Sequence, residues 1–348
     1  MYPLSVEQPY PRQQWWVAAY SSEVSRELLA RDILGEPVII YRTEAGEAVA
    51  LAGICPHRAF PLSKGCVVGD AVQCGYHGFQ FRADGECQHV PSQTGVPQNA
   101  RLRAYPLIED AGLIWIWTGG PDGADPSLMP DLHSLGLGRE DWAVEQHPLA
   151  TVGARYTLLI ENLLDLSHVT FIHHRTIPAG EKVASIPVEV IETESSLTVQ
   201  RRGENLPLNP LLALQFPQQS AAVHQHFDAE YLGPCLIRTG GAMYDAVSGQ
   251  LLGVQNYLHF LTPAGPSRLH YLVNTTRSFG VDRPELGDMQ VVMGAKIQPE
   301  DIEAIEAIEQ VLQSGATLPR GISARVDTGA LKVRRRLEVQ IRSESQDI

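Results

Sequence analysis

Two short segments constrain this chain more than anything else in it: Cys55-Pro-His57 and Cys74-Gly-Tyr-His77. All four side chains fall within 23 consecutive positions, and both pairs are flanked by turn-forming glycines, Gly53 before the first and Gly75 and Gly78 around the second. Soft thiolates suit iron–sulfur clusters, and imidazole suits iron. Two thiolates on one iron and two imidazoles on the other make a mixed-ligand [2Fe–2S] centre, whose neutral ligands raise its potential. Such a centre is a one-electron relay. Pro56 stiffens the first loop, and Tyr76 can wall off the second. Structural zinc sites also use Cys₂His₂ sets, but with Cys-x₂₋₄-Cys and His-x₃₋₅-His spacing rather than Cys-x-His.

The chain's 348 residues are too many for one average core and point to about two domains. Hydrophobic residues at 44% and charged residues at 19% are ordinary for a globular protein. A net charge of −13 argues against nucleic acid or an anionic membrane as partner. No apolar run approaches the roughly 18–20 residues of a membrane span. The N-terminus lacks a basic stretch followed by an apolar one, so no secretory signal is expected. Five cysteines, an odd number without framework spacing, fit a reducing cytoplasm. Cys66 and Cys87 read as plain buried cysteines.

Residues 1–120 read as β-rich: VAAYSSEV, PVIIYRT, AVALAGI, AVQCGYHGFQF and LIWIWT are short β-branched or aromatic runs between turn-formers. The run Thr118 to Pro126, dense in Gly, Pro and Asp, is expected as a linker. Residues 121–348 read as mixed α+β, with a helix-like segment over 155–175 and five strand-like runs between 185 and 279. Two late helices are predicted, one from Pro299 to about Ser314 and one from roughly Asp327 to Arg342.

The helix-like segment carries a second constellation. At about 100° per residue, Glu161, Asn162, Asp165 and His168 form one polar stripe among leucines. A solvated stripe usually carries Lys and Glu, not Asn, Asp and His beside so much apolar surface. His173 lies five residues past His168, so both can meet one metal only if the helix loosens between them. The Val-Thr-Phe-Ile run allows that. His174 is the rival for His173. Two histidines and a carboxylate form the facial triad of non-haem Fe(II) oxygenases, with open positions left over. The carboxylate must come from elsewhere: Glu300 and Asp301 are the candidates, although a first-turn acid is also explained by the helix dipole.

With these motifs in view, the chain resembles the oxygenase component of Rieske non-haem iron oxygenases over nearly its whole length. The resemblance rests on C-P-H-R-A at Cys55–Ala59, C-G-Y-H-G-F-x-F at Cys74–Phe81, L-I-W-I-W at Leu113–Trp117, N-L-L-D-x-x-H-x-x-x-x-H at Asn162–His173 and E-D-x-x-x-I-E-A at Glu300–Ala307. It is most similar to the smaller monooxygenases of the vanillate O-demethylase, dicamba monooxygenase and toluenesulfonate methyl-monooxygenase group. The resemblance implies an all-β Rieske domain over 1–120 and an α+β helix-grip catalytic domain over 121–348. It implies His168, His173 and Asp301 as ligands of a mononuclear Fe(II), and Asn162 is expected to be catalytic beside Asp165. It further implies a head-to-tail homotrimer in which Asp165 links His77 of one subunit to His168 of the next.

Nothing in the chain reads as a dinucleotide or flavin motif, so electrons must come from a separate ferredoxin or flavin reductase, and only indirectly from NAD(P)H. O2 is the expected co-substrate. The expected reaction is demethylation or methyl hydroxylation of a small, aromatic substrate. The rivals are a ring-hydroxylating dioxygenase and, in a different class, a non-catalytic electron-transfer protein or a zinc-binding module. Asn256 and His259 are expected to face the substrate, with Arg238 as a further candidate for a substrate carboxylate.

Overall fold

A computed structural model describes residues 10–177, 183–207, 216, 222–319 and 321–344. It divides into two compact units, one comprising Tyr10–Met129 with Thr262–Pro266, the other Pro130–Leu261 with the described residues from Ser267 onward.

The first unit is all-β. Its strands are β1 (Trp15–Tyr20), β2 (Leu29–Ile33), β3 (Glu36–Arg42), β4 (Ala48–Ala52), β5 (Cys66–Val68), β6 (Ala71–Gln73), β7 (Gln80–Phe81), β8 (Cys87–His89), β9 (Ala104–Tyr105), β10 (Leu107–Asp110) and β11 (Leu113–Trp117). They form three sheets in the orders β1-β11-β10, β2-β3-β4-β9 and β5-β6-β7-β8. Every residue of Leu113–Trp117 is buried. The run AVQCGYHGFQF is not one strand but two, β6 and β7, with Cys74–Phe79 looped out between them. Gln73 still pairs with Gln80 across that loop.

The expected linker at Thr118–Pro126 belongs to the first unit. The Trp117 indole donates to the Gly120 carbonyl at 2.7 Å and the Trp15 indole to the Asp125 carbonyl at 2.8 Å. Its prolines open two short 3-10 turns, Pro121–Gly123 and Pro126–Leu128, and the buried indoles, which need acceptors, tie it down.

The second unit holds β12 (Ala143–Gln146), β13 (Ala150–Val152), α1 (Tyr156–Leu164), β14 (Glu189–Glu192), β15 (Leu197–Pro207), β16 (Ala222–Tyr231), β17 (Leu236–Asp245), β18 (Leu251–Gly265, whose residues from Thr262 on fall in the first unit), β19 (Arg268–Arg277), α2 (Pro284–Gln313) and α3 (Thr328–Glu344). Its antiparallel sheet runs β12-β19-β18-β17-β16-β15-β14, with β13 also pairing β19. The fold is thus α+β, as expected, with an antiparallel sheet and helices. Helix α1 packs against β16, β17, α2 and α3. Six of its nine residues are buried, which is why its apolar positions leave room for so few polar ones. Helix α3 buries Gly329, Val333, Leu337 and Ile341, one every four residues. Gly329 is needed for close approach: a Cβ there would meet Val199 Cγ2 at 2.3 Å.

Two helical expectations are corrected. Pro299 does not open α2 but sits inside it, because Pro284, with Glu285 beside it in the first turn, already supplies the start signal. The buried face continues past Pro299 through Asp301, Ile305 and Glu309. The second correction is that α1 stops at Leu164. Asp165 leaves the helical region (φ −116°, ψ 89°) and caps a 3-10 turn over Leu166–Thr170. The polar stripe drawn on a continuous helix therefore ends one residue before Asp165.

Candidate metal centres

The first centre is made of two loops with the same hydrogen bonding. In one, Cys55 N donates to Phe60 O at 2.9 Å and Ala59 N to Cys55 O at 3.0 Å; in the other, Cys74 N donates to Phe79 O at 2.8 Å and Gly78 N to Cys74 O at 3.0 Å. The fifth residue of each loop is left-handed, Ala59 at φ 51° and Gly78 at φ 73°. Glycine takes that conformation freely and alanine does not. At Gly75 a Cβ would fall 2.5 Å from the carbonyl oxygen of Lys64, the last residue of the 3-10 turn Leu62–Lys64, so only glycine fits there.

The twin loops bury both thiols and expose both imidazoles. Cys55 and Cys74 join an apolar cluster with Tyr41, Leu51, Val72 and Phe81, whereas His57 and His77 lie at the surface. The two rings are 4.5 Å apart, centroid to centroid, and Phe79 stacks on His57 at 4.7 Å. Burial, opposed by the backbone N–H of His57 and reinforced by the neighbouring Cys74 thiol, pushes the Cys55 thiol up to about 11. A metal that binds there must therefore displace protons. Two adjacent buried sulfurs with a main-chain N–H aimed at one of them, and two exposed imidazoles beside them, match the ligand set of a [2Fe–2S] centre.

The second centre draws on three segments. His168 sits on the 3-10 turn after α1, His173 in the turn that follows, and Asp301 on α2. Their ligand atoms all lie within 4.8 Å of one another. Asp301 Oδ1 is 3.4 Å from His168 Nε2 and 3.2 Å from His173 Nε2. The other ring nitrogens are committed: His168 Nδ1 to the Asp165 carbonyl at 2.6 Å, and His173 Nδ1 to Glu300 Oε2 at 2.7 Å. Both rings thus present Nε2 to one point. This is a two-histidine, one-carboxylate set suited to iron.

Asn162 donates its amide to Asp301 Oδ1 at 3.1 Å, from the last turn of α1. Burial alone would raise Asp301, but the hydrogen bond and charge of His173, then His168 and Asn162, hold it below the usual carboxylate range. His174 turns away, exposed, with Nδ1 on the Phe171 carbonyl. Glu300, the rival carboxylate, is on the outer nitrogen of His173 and not on the metal side.

Asp165 meets His168 through its main chain, while its carboxylate accepts from Ser167 N (2.9 Å), Ser167 Oγ (2.9 Å) and Arg201 Nη2 (3.3 Å). Arg201 is 1% exposed and escaped notice in the sequence. Its one signal was a charge at the inward position of a strand that otherwise buries Leu197 and Val199 there.

The substrate-facing candidates separate. Strand residues alternate in direction. His259 pairs with Ile237 and Asn256 with Gly240 in an unbroken stretch of register, so the two point to opposite faces of the sheet. The Asn256 amide donates to Leu135 O at 3.2 Å and Thr276 Oγ1 at 3.3 Å. His259 bonds Tyr271 OH at 2.7 Å and Thr239 Oγ1 at 2.9 Å, and burial pushes it down to about 3 despite the nearby Asp301 charge. Arg238 is held by Glu230 at 2.8 Å, its cross-strand partner, and is not free for a substrate carboxylate.

This geometry defines a class of protein that pairs a mixed-ligand iron–sulfur domain with a mononuclear iron domain. Residues 14–106 match the Rieske [2Fe-2S] domain, and residues 152–343 match the vanillate O-demethylase oxygenase C-terminal domain. The chain belongs to that family of Rieske non-haem iron oxygenases. It is 30% identical to the oxygenase component of dicamba O-demethylase from Stenotrophomonas maltophilia, over 94% of this chain and 97% of that protein. It is 31% identical to a putative toluene-4-sulfonate monooxygenase system iron-sulfur subunit from Comamonas testosteroni, over 86% of this chain and 88% of that one. A crystal structure of dicamba monooxygenase with non-heme iron and dicamba covers 97% of this chain and 99% of its own at 29% identity, with a TM-score of 0.82. No helix among the described residues is long and apolar enough to cross a membrane.

Proposed function

We propose that this chain is the oxygenase component of a monooxygenase system acting on a small aromatic substrate by O- or N-demethylation or methyl hydroxylation. Electrons come from a separate ferredoxin or flavin reductase and ultimately from NAD(P)H. Residues 1–120 serve as the cluster domain, with Cys55, His57, Cys74 and His77 as ligands, and residues 121–348 as the catalytic domain, with His168, His173 and Asp301 on Fe(II). The observation that carries this reading is the convergence of both Nε2 atoms on Asp301 Oδ1. A relative named for O-demethylation over nearly its full length supports it further.

When bound, the iron supplies O2 activation; the chain's own residues bind, orient and shield. Asp301, buried and kept ionised, neutralises part of the metal charge, and Asn162 fixes which way its carboxylate faces. Asp165, clamped by Ser167 and Arg201, joins the surface to His168 through its own carbonyl. In a head-to-tail homotrimer it would receive the electron from His77 of a neighbouring copy. His259, neutral and held between the Tyr271 and Thr239 hydroxyls, is the candidate contact for a substrate oxygen. For a methyl ether, O2, two electrons and two protons give a hydroxymethyl ether and water. The hydroxymethyl ether then collapses to phenol and formaldehyde.

Iron analysis and the EPR spectrum of the reduced protein are the first test; zinc without iron and no cluster signal would sink the reading. Turnover of aryl methyl ethers, N-methyl arenes and toluenesulfonate-like arenes with a generic ferredoxin and reductase is the second. Formaldehyde matched to O2 uptake supports demethylation, whereas a cis-dihydrodiol would mark a dioxygenase. Asp165→Asn is expected to keep both iron centres filled and lose turnover; near wild-type turnover would remove Asp165 as the bridge.

A further inference from the structure

His173 is gripped at both edges of its ring by neighbouring carboxylates of α2. Asp301 Oδ1 lies 3.2 Å from Nε2, and Glu300 Oε2 lies 2.7 Å from Nδ1. Adjacent residues of an α-helix point about 100° apart, so two consecutive acids can straddle one imidazole. His168 is held otherwise, by the neutral carbonyl of Asp165. His173 is 2% exposed, so its Nδ1–H has no water to turn to. Glu300 Oε2 also accepts the Thr176 hydroxyl at 2.6 Å, three residues past His173, which ties carboxylate, ring and turn together. The helix dipole does not explain this acid, because α2 begins at Pro284 and the dipole acts within the first turn.

We infer that Glu300 is a positioning residue that sets the metal affinity of the mononuclear site through its charge on the outer nitrogen of His173. The inference rests on the metal site proposed above. A carboxylate there keeps hydrogen on Nδ1 and the lone pair on Nε2, and makes the imidazole a stronger donor. It also brings the acids of the site to two, Asp301 and Glu300, matching a divalent cation. A cation taken out of water with only one carboxylate beside it would remain under-compensated, at a cost.

The test is a calorimetric titration with Co(II) of protein whose mononuclear site has been emptied and whose cluster is intact. Glu300→Gln keeps an oxygen that can accept the Nδ1–H but removes the charge. It is expected to weaken Co(II) binding about 10–100-fold, with cluster absorption and melting temperature unchanged. Glu300→Asp, which keeps the charge one methylene short, is expected between wild type and Gln. A Gln variant that binds Co(II) as wild type does would overturn the inference. If the Gln protein does not fold, an Asp variant binding no better than Glu300→Ala overturns it equally. Asp301→Ala separates the two levels. If it leaves Co(II) binding intact, the metal site itself is wrong; if it abolishes binding while Glu300→Gln does not weaken it, only the role of Glu300 fails.

Discussion

The two metal centres are built on opposite plans. The cluster loops close on themselves: each is six residues long, with its own first and last residues hydrogen-bonded, and β6 and β7 pair directly across the second. The mononuclear site is assembled at long range, with His173 and Glu300 separated by 127 positions. What brings the distant parts together is packing and one buried ion pair. Arg155, the residue before α1, binds Glu309 of α2 through Nε at 2.6 Å and Nη2 at 2.9 Å, and Glu309 is 2% exposed. Local closure makes a site robust to distant change. Long-range assembly makes it hostage to whatever holds the helices in register.

The comparison is broken most directly by removing one ligand from each side. Asp301→Ala is expected to abolish mononuclear metal binding and turnover while cluster absorption persists. Cys74→Ser should lose the cluster, yet leave the second unit able to bind Co(II). Loss of both metals from either variant would show that the centres are not independent.

Next in size is Glu309→Ala. It strands a partly buried guanidinium and is expected to cost about 3 kcal/mol in denaturant unfolding of the second unit. Because α1 and α2 carry Asn162 and Asp301, Co(II) affinity should fall with it and the cluster spectrum should not change. An unchanged affinity would mean that packing alone sets the register.

The third expectation concerns pH. His259, pushed down to about 3, is neutral in the folded protein, whereas unfolded histidine titrates near 6.5. Between those values the unfolded state binds the extra proton. Stability contributed by neutral His259 is therefore full above about pH 6.5 and falls by up to about 1.4 kcal/mol per pH unit as pH drops. His259→Gln should flatten that slope in pH-dependent unfolding of the second unit, leaving the cluster unit's acid behaviour alone.

The smallest effect is expected in the first loop. Ala59 is left-handed where its counterpart is Gly78, so Ala59→Gly should stabilise by about 0.5–1 kcal/mol if the relief of strain outweighs the added chain entropy. A destabilised variant would show that the alanine methyl packs usefully despite its backbone.

How much could be read in advance follows the same division. Cys55, His57, Cys74 and His77 were legible as a set because a tight loop writes its ligands, glycines and proline side by side. His168 and His173 were legible as a pair, but the turn that unites them was only guessed at. The stripe from Glu161 to His168 assumed one helix, and Asp165 ends that helix. Pro299 was misread as a start because a proline in a first turn and a proline inside a helix look alike until the upstream residues are seen to be helical. Asn256 looked as eligible as His259, because strand parity decides which face a residue takes and parity needs a register.

The sequence by itself determined which residues offer thiolate, imidazole and carboxylate to the two proposed centres, and the expectation of a separate donor. It did so because ligand type and short loops are local properties. Only the tertiary structure decided which of two adjacent acids meets the metal side of His173 and which supports it from behind. It also decided that a fully buried Arg201 clamps Asp165, and that Asn256 turns its back on His259. Those outcomes depend on how helix α2 lies against the turn after α1 and on which face of the sheet a strand residue takes. The first depends on residues more than a hundred positions apart and the second on strand register, and no local pattern records either.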